Sequence, residues 1–370
     1  MKIGLICPYN IGLGGGVQEC VKATYADLKN RGHDVRIITP MSKEVRDHPP
    51  QDTILLGTGT DIRSPFATTA QVSATFNTDE IAEVLDVEKF DILHFHEPWV
   101  PMLSRQLLAK SRSINVATFH ARMPDGMMTK TIERVITPYT KSILKSFDVL
   151  TAVSDPAAQY VRSLTDDPVQ IIPNGIDLQK YKPQSVAKSS KTRNILFIGR
   201  LERRKGLKYL LDAFARLADG SCELRIAGNG PDRQKLEDYT KKLSLNNVRF
   251  LGFVSDEEKL KLLAEADVFC SPAIYGESFG IVLLEAMAAG VPVVAANNPG
   301  YATVMQGRGF ISLVDPKDTE QFAKRLALML YDKEFADLWR AWAADYVRQF
   351  AYKNIVDQYE SLYERLMKDA

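Results

Sequence analysis

The sequence predicts an α/β protein built from two doubly wound domains. Three observations predict it. Apolar runs of strand length alternate with segments of helical period along most of the chain. The alternation stops once, at the polar stretch 177–193, and then restarts. The chain has 370 residues, the length of two ordinary domains, and 45% of them are apolar, enough for two packed cores.

Residues 2–7 form the first apolar run, followed by the turn Gly12-Leu-Gly-Gly-Gly16. Val17, Val21, Tyr25 and Leu28 then share a helical face over 17–31, Gly32 ends it, and 34–39 is the next strand. This strand–glycine loop–helix–strand unit is the entry to a doubly wound sheet. Further strands read at 53–56, 90–95, 115–119, 149–153 and 169–172. After the polar linker, strands read at 194–199, 223–228, 248–253, 267–272 and 291–295. Helices read at 207–217, 233–243, 257–264 and from near Ser278 to Gly290. From 318 onward the chain is mostly helical.

Composition excludes several classes. A net charge of +1 argues against a nucleic-acid binder, which needs a basic footprint. Cys7, Cys20, Cys222 and Cys270 show no paired short spacing, so a reduced, cytoplasmic protein is the expectation. No run of about 20 apolar residues crosses a membrane, and the opening residues are too soon broken for a signal peptide.

Chemistry-bearing residues gather where predicted strands end, which is where open α/β sheets bind ligands. The glycine loop misses the dinucleotide fingerprint, because Val17 stands at its third glycine position and no acid follows the second strand. Consecutive glycines at a helix start still offer backbone N–H groups to a phosphate, although an ordinary turn reads the same way. His94-Phe-His-Glu-Pro98 and Thr118-Phe-His120 end two strands. Neither has metal-ligand spacing, and no Asp-x-Asp is present, so no metal and no other cofactor is expected. Gly199-Arg-Leu-Glu-Arg-Arg-Lys-Gly206 follows the first strand of the second half. Its cations suit phosphate oxygens, with Arg203 and Arg204 open to a solvent-exposed reading. Glu277 and Glu285 stand eight positions apart across a predicted helix start flanked by Gly276 and Gly280. On a helix over 130–146, Lys130, Arg134, Lys141 and Lys145 share one side. Either a surface helix or an interfacial one facing anionic lipid fits that pattern.

Glu277-Ser-Phe-Gly280 continuing to Glu285-Ala-Met-Ala-Ala-Gly290 resembles the paired-glutamate signature of retaining glycosyltransferases of the GT-B fold, glycosyltransferase family 4. Within that family the chain resembles bacterial phosphatidyl-myo-inositol mannosyltransferases. The resemblance implies two Rossmann-like domains facing across a cleft. It implies an acceptor-binding domain over 1–175, joined by a last helix in 351–370 that crosses back, and a donor-binding domain over 194–350. It implies hexose transfer from a nucleotide sugar, GDP-mannose or a UDP-hexose, to a lipid or polyol acceptor such as phosphatidylinositol or diacylglycerol. The place implied is the inner membrane surface. Catalytic roles fall to His120, Arg200, Lys205 and Glu277. Donor contacts fall to Gly15, Gly16, Arg200, Lys205, Ser278, Phe279, Gly280, Ile281 and Glu285, with Glu285 on the ribose. Acceptor contacts fall to Tyr9, Gln18 and Trp99. Front-face attack, with the acceptor proton passing to the leaving phosphate, is the mechanism the family implies. An epimerase on the same fold, or a binding protein without catalysis, is the reading from other classes.

Overall fold

The structure is a computed structural model that describes residues 1–41, 50–63, 69–74, 78–100, 102–123, 127–183, 192–217 and 221–369. It divides into two units, Met1–Gly175 with Tyr352–Ala370, and Ile176–Ala351.

The first unit is an eight-stranded sheet. Its strands are β1 (Lys2–Ile6), β2 (Asp34–Met41), β3 (Thr53–Arg63), β4 (Thr69–Ala74), β5 (Ile92–His96), β6 (Ile114–Phe119), β7 (Val149–Ala152) and β8 (Val169–Ile171), in the order β4-β3-β2-β1-β5-β6-β7-β8. All neighbours are parallel except β3 and β4. The helices are α1 (Gly16–Asn30), α2 (Thr78–Glu88), α3 (Leu103–Leu108), α4 (Met127–Leu144) and α5 (Asp155–Arg162). Strand periodicity builds a two-sided core. Ile3, Leu5, Val35 and Ile37 pack on one face with Val21 and Leu28 of α1. Ile6, Ile38, Leu93 and Phe95 pack on the other with Ile81, Leu103, Leu107 and Ile143.

The last helix of the chain, Tyr352–Asp369, belongs to this unit. Ile355, Val356, Tyr359, Leu362 and Tyr363 recur at helical spacing and join the α1 face of the core. Arg31 clamps the same helix, donating to Asp357 and Glu360 at 2.6 Å each, and His33 Nε2 lies 2.7 Å from Glu360. A buried polar chain adds specificity. Tyr363 Oη lies 2.6 Å from His94 Nδ1, and His94 Nε2 lies 2.6 Å from Thr118 Oγ1. Tyr363→Phe strands a buried imidazole nitrogen, so unfolding is expected to become easier by about 1–3 kcal/mol, seen as a lower urea midpoint. An unchanged midpoint would refute a structural role for this chain of bonds.

The second unit is a six-stranded parallel sheet. Its strands are β9 (Arg193–Ile198), β10 (Cys222–Ala227), β11 (Val248–Gly252), β12 (Val268–Ser271), β13 (Val293–Ala296) and β14 (Leu313–Val314), in the order β11-β10-β9-β12-β13-β14. Its helices are α6 (Leu207–Leu217), α7 (Arg233–Lys242), α8 (Asp256–Glu265), α9 (Ile281–Ala288), α10 (Pro299–Val304), α11 (Thr319–Tyr331) and α12 (Lys333–Tyr346). The Tyr352–Asp369 helix of the first unit is α13. Ser255 opens α8 with a capping box closed by Glu258.

Both halves show the expected doubly wound α/β order. Two local expectations need correction, and one strand is absent from the sequence reading. Strand β3 runs to Arg63 rather than stopping at 56, because β4 pairs with its second half from Thr58 onward. Helix α9 begins at Ile281, not near Ser278, because Gly280 caps it at φ 119°, outside helical space. Strand β14, two residues long, carries no legible periodicity. Pro138 lies inside α4, Lys141 of α4 and Lys145 just beyond its end are exposed, and the side chains at 130 and 134 fall outside those described.

Candidate active site

In each unit the strand order reverses beside its first strand, between β1 and β5 and between β9 and β12. Such switch points open a crevice beyond the carboxyl ends of the strands. The glycine loop, the histidine motifs, the cationic run after β9 and the loop before Glu277 lie near those two places.

In the first unit, the β1 end carries Tyr9 and the glycine loop. Helix α1 starts at Gly16 with Gly15 as its cap, and Gly15 offers no side-chain acceptor to the first-turn N–H groups. A Cβ on Gly15 would lie 2.3 Å from Gln18 Oε1, so only glycine lets Gln18 fold back over the loop. Gln18 is buried, and Gly14 and Gly16 are exposed. Beyond β5 and β6, His96 Nδ1 and His120 Nε2 are hydrogen-bonded at 2.9 Å. Both are buried, so burial pulls His120 down to about 4 and His96 well below the usual range. They are neutral at pH 7, one nitrogen of the pair donating and the other accepting. Cys20 of α1 offers its sulfur to the same cluster, with one donor atom of each residue within 4.8 Å of the others. A soft cation would have to displace the histidine–histidine bond and the proton of a thiol that burial pushes up to about 12.

Trp99 is half-buried and packs its ring against Phe119 at 5.8 Å and Tyr160 at 5.4 Å, so part of its role is structural. His94 is tied to Tyr363 and Thr118 and belongs to the core.

In the second unit, Gly199 to Lys205 follow β9, and Pro272 to Gly280 follow β12. Gly206 is left-handed at φ 68°, and a Cβ there would sit 2.0 Å from the Pro272 carbonyl. That absence of a side chain brings the two segments together, and Ile274 N–H donates to the Arg204 carbonyl at 2.8 Å. Glu277 Oε1 accepts from Arg204 Nη1 at 2.7 Å and Lys205 Nζ at 2.8 Å. Burial alone would raise the Glu277 carboxyl; the charges of Lys205 and Arg204 outweigh it and hold the group below the usual range. The solvent-exposed alternative for Arg204 is overturned: it is 20% exposed and also pairs with buried Glu202 at 2.6 Å. Arg203 is exposed, as is Arg200, which lies 3.8 Å from Glu202.

The loop around Glu277 is held from behind. Asn298 donates to the Ala273 carbonyl at 2.8 Å and accepts from Tyr301 N–H at 2.9 Å, and Tyr301 Oη meets Ser271 Oγ at 2.7 Å. A Cβ on Gly280 would meet the Tyr301 ring at 2.8 Å. Gly280 leaves the first N–H groups of α9 without a side-chain cap, with Ser278 and Ile281 part-buried beside them. Phe279 is 2% exposed and packs on Phe350, so its side chain is core and only its backbone is available to a ligand. Glu285 Oε1 accepts from Tyr181 Oη at 2.7 Å and Lys259 Nζ at 2.9 Å.

Sequence reasoning missed Tyr181 and Lys259 as members of these clusters; it named Arg204 only as a cation open to a solvent-exposed reading, and Glu97 only within the motif that ends β5, which the resemblance places on the acceptor side. Glu97 stood in plain view between two histidines and a proline. Tyr181 and Lys259 meet Glu285 across 104 and 26 residues and carry no local signal.

Two Rossmann-like units, each with polar groups at its switch point, define a GT-B glycosyltransferase architecture. Residues 14–180 match the model of Glycosyltransferase Family 4, and residues 179–345 that of Glycosyl transferases group 1. A phosphatidyl-myo-inositol mannosyltransferase of Mycobacterium leprae is 33% identical over 98% of this chain and 96% of its own. Among solved structures, a glycosyltransferase from Rickettsia africae superposes with a TM-score of 0.80 at 19% identity, covering 100% of this chain and 99% of that one. Anabaena Alr3699/HepE, solved with UDP and glucose, gives 0.77 at 20% identity over 99% and 100%. The chain belongs to glycosyltransferase family 4.

Proposed function

We propose that this glycosyltransferase moves a hexose, mannose from GDP-mannose in the favoured reading, onto a lipid or polyol acceptor such as phosphatidylinositol, with retention at the anomeric carbon. The observation that carries it is the Arg204–Glu277–Lys205 cluster at the second switch point, beside the open helix start at Gly280. The relative from Mycobacterium leprae supplies the sugar and acceptor class of this reading.

The roles follow from charge. Loss of a sugar from a nucleotide diphosphate leaves negative charge on phosphate oxygens. Lys205, Arg200 and the N–H groups of Gly280 and Ile281 neutralise it, and the N–H groups of Gly15 and Gly16 are further donors of the same kind. Cationic side chains and N–H groups do this without a metal ion. Glu277 aligns Lys205 and accepts from sugar hydroxyls. Glu285 holds the ribose, exchanging the Tyr181 or Lys259 donor for a ribose hydroxyl. Neutral His120 faces the transferred sugar. Tyr9, Gln18 and Trp99 receive the acceptor. A UDP-hexose donor is the second reading, favoured by the UDP and glucose bound to Anabaena Alr3699/HepE.

No helix among the described residues is long and apolar enough to cross a membrane. A lipid acceptor is then met at the membrane surface, with exposed Lys141 of α4 and Lys145 just beyond it as the contact toward anionic headgroups. The test is transfer from GDP-mannose, UDP-glucose or UDP-galactose to phosphatidylinositol or diacylglycerol in neutral or anionic vesicles, with excess chelator present. Transfer of mannose to phosphatidylinositol, faster on anionic vesicles and undiminished by chelator, is expected. Transfer only from a UDP-sugar replaces the donor; epimerised donor without transfer overturns the reading.

A further inference from the structure

Glu97 is the residue on which the polar groups at the switch point of the first unit converge. It follows β5 directly and is 1% exposed. Its backbone is left-handed at φ 51°, a region that costs a non-glycine residue free energy and persists only where surroundings enforce it. That turn sends the side chain across to the end of β6. There Oε1 accepts from the N–H of His120 at 3.0 Å and of Ala121 at 3.2 Å. The Trp99 side chain also hydrogen-bonds this carboxyl, and Tyr9 lies close enough to feel its charge. His120 and Trp99 share one buried carboxyl, and Tyr9 lies within range of its charge.

We propose that Glu97 is a positioning residue that fixes His120 toward the donor sugar and Trp99 toward the acceptor. The inference rests on the glycosyl-transfer reading for what is positioned, but not for the positioning itself. Either form of the carboxyl presents an oxygen to both N–H groups, but the neighbours supply no countercharge to set against burial of a carboxylate. Burial pushes this carboxyl up to about 8, against the opposing pull of the His120 and Ala121 N–H groups and Trp99. The titratable groups that face the cluster are Tyr9 beyond β1, Cys20 of α1, His96 and His120. Tyr9 and Cys20 are raised, and both histidines lowered, away from pH 8. Ionisation of Glu97 alone then falls in that range and loosens its hold on His120 and Trp99.

Glutamine is the uncharged isostere of the protonated acid, so it separates the alternatives. Amide exchange at His120 and Ala121, read by mass spectrometry or NMR, tests the positioning without any turnover. Exchange is expected to be equally slow in wild type and Glu97→Gln and at least about tenfold faster in Glu97→Ala. In transfer assays, Glu97→Ala is expected to lose about 10²-fold in kcat with nucleotide diphosphate affinity unchanged, and Glu97→Gln to recover most of it. The wild-type rate is expected to fall above about pH 8, and the Glu97→Gln rate to stay level there. If Glu97→Ala does not fold, the pH profiles of wild type and Glu97→Gln decide. A shared alkaline fall, or a Glu97→Gln variant as impaired as complete loss, overturns the proposal. Fast exchange at His120 in wild type does so as well. Wild type that turns over no donor overturns the glycosyl-transfer reading, while the exchange measurement still decides the role of Glu97.

Discussion

Lys205→Ala and Glu277→Gln are each expected to cut transfer by about 10²–10³ while the second unit stays folded. Lys205 is one of few cations able to meet the phosphate charge as the sugar leaves, and Glu277 fixes where its ammonium stands at 2.8 Å. Gln at 277 keeps an acceptor oxygen but removes the charge that holds both Arg204 and Lys205. Ala at 277 would be a poorer test, since removing one partner from a largely buried ion cluster costs about 3–5 kcal/mol and confuses folding with catalysis. The measurement is kcat at saturating donor and acceptor, with melting temperature as control. Normal turnover in either variant would remove that residue from the mechanism.

Stability should peak near pH 6.5, and the reason lies in four buried groups of the first unit. Burial pulls His94 down to about 3, His120 to about 4 and His96 well below the usual 6.5. Below pH 6.5 the unfolded chain takes up protons that the folded chain refuses, so their contribution is lost as pH falls toward those values. Glu97 acts in the opposite sense: its folded value of about 8 lies above the unfolded 4.5, so its contribution is full below 4.5 and lost as pH rises to about 8. Each group contributes up to about 1.4 kcal/mol per pH unit. Three histidines outweigh one carboxyl on the acid side, and Glu97 acts alone on the alkaline side. The melting temperature of the first unit is expected to fall steeply below about pH 6 and gently from about 7 to 8. Glu97→Gln should flatten the alkaline slope and steepen the acid one, because Glu97 opposes the histidines from about pH 4.5 upward. A melting temperature level from about pH 5 to 8 would contradict the neutral, buried state of these residues.

Much of this fold is legible in the sequence because most strands are buried on both faces and read as unbroken apolar runs, as 2–6 and 293–296 do. What hides is set by partners distant in sequence. Strand β4 exists through antiparallel pairing with β3, and β14 through two residues beside β13. The same division holds for the site. Glu277, Lys205 and the glycine loop stand out because their local patterns are unusual. The solvent-exposed alternative for Arg204 arises because a run of cations looks solvated until Glu202 and Glu277 are seen around it. The start of α9 is misplaced because a left-handed glycine at 280 leaves no trace in periodicity.

The central claim is hexose transfer with retention, and the anomeric configuration of the product tests it most directly. An α-linked nucleotide hexose and a phosphatidylinositol or diacylglycerol acceptor are incubated with the protein. The purified glycolipid is then read by the one-bond carbon–proton coupling at its anomeric centre. The account predicts an α-linked product. A β-linked product, or free hexose released without any glycolipid, would contradict it.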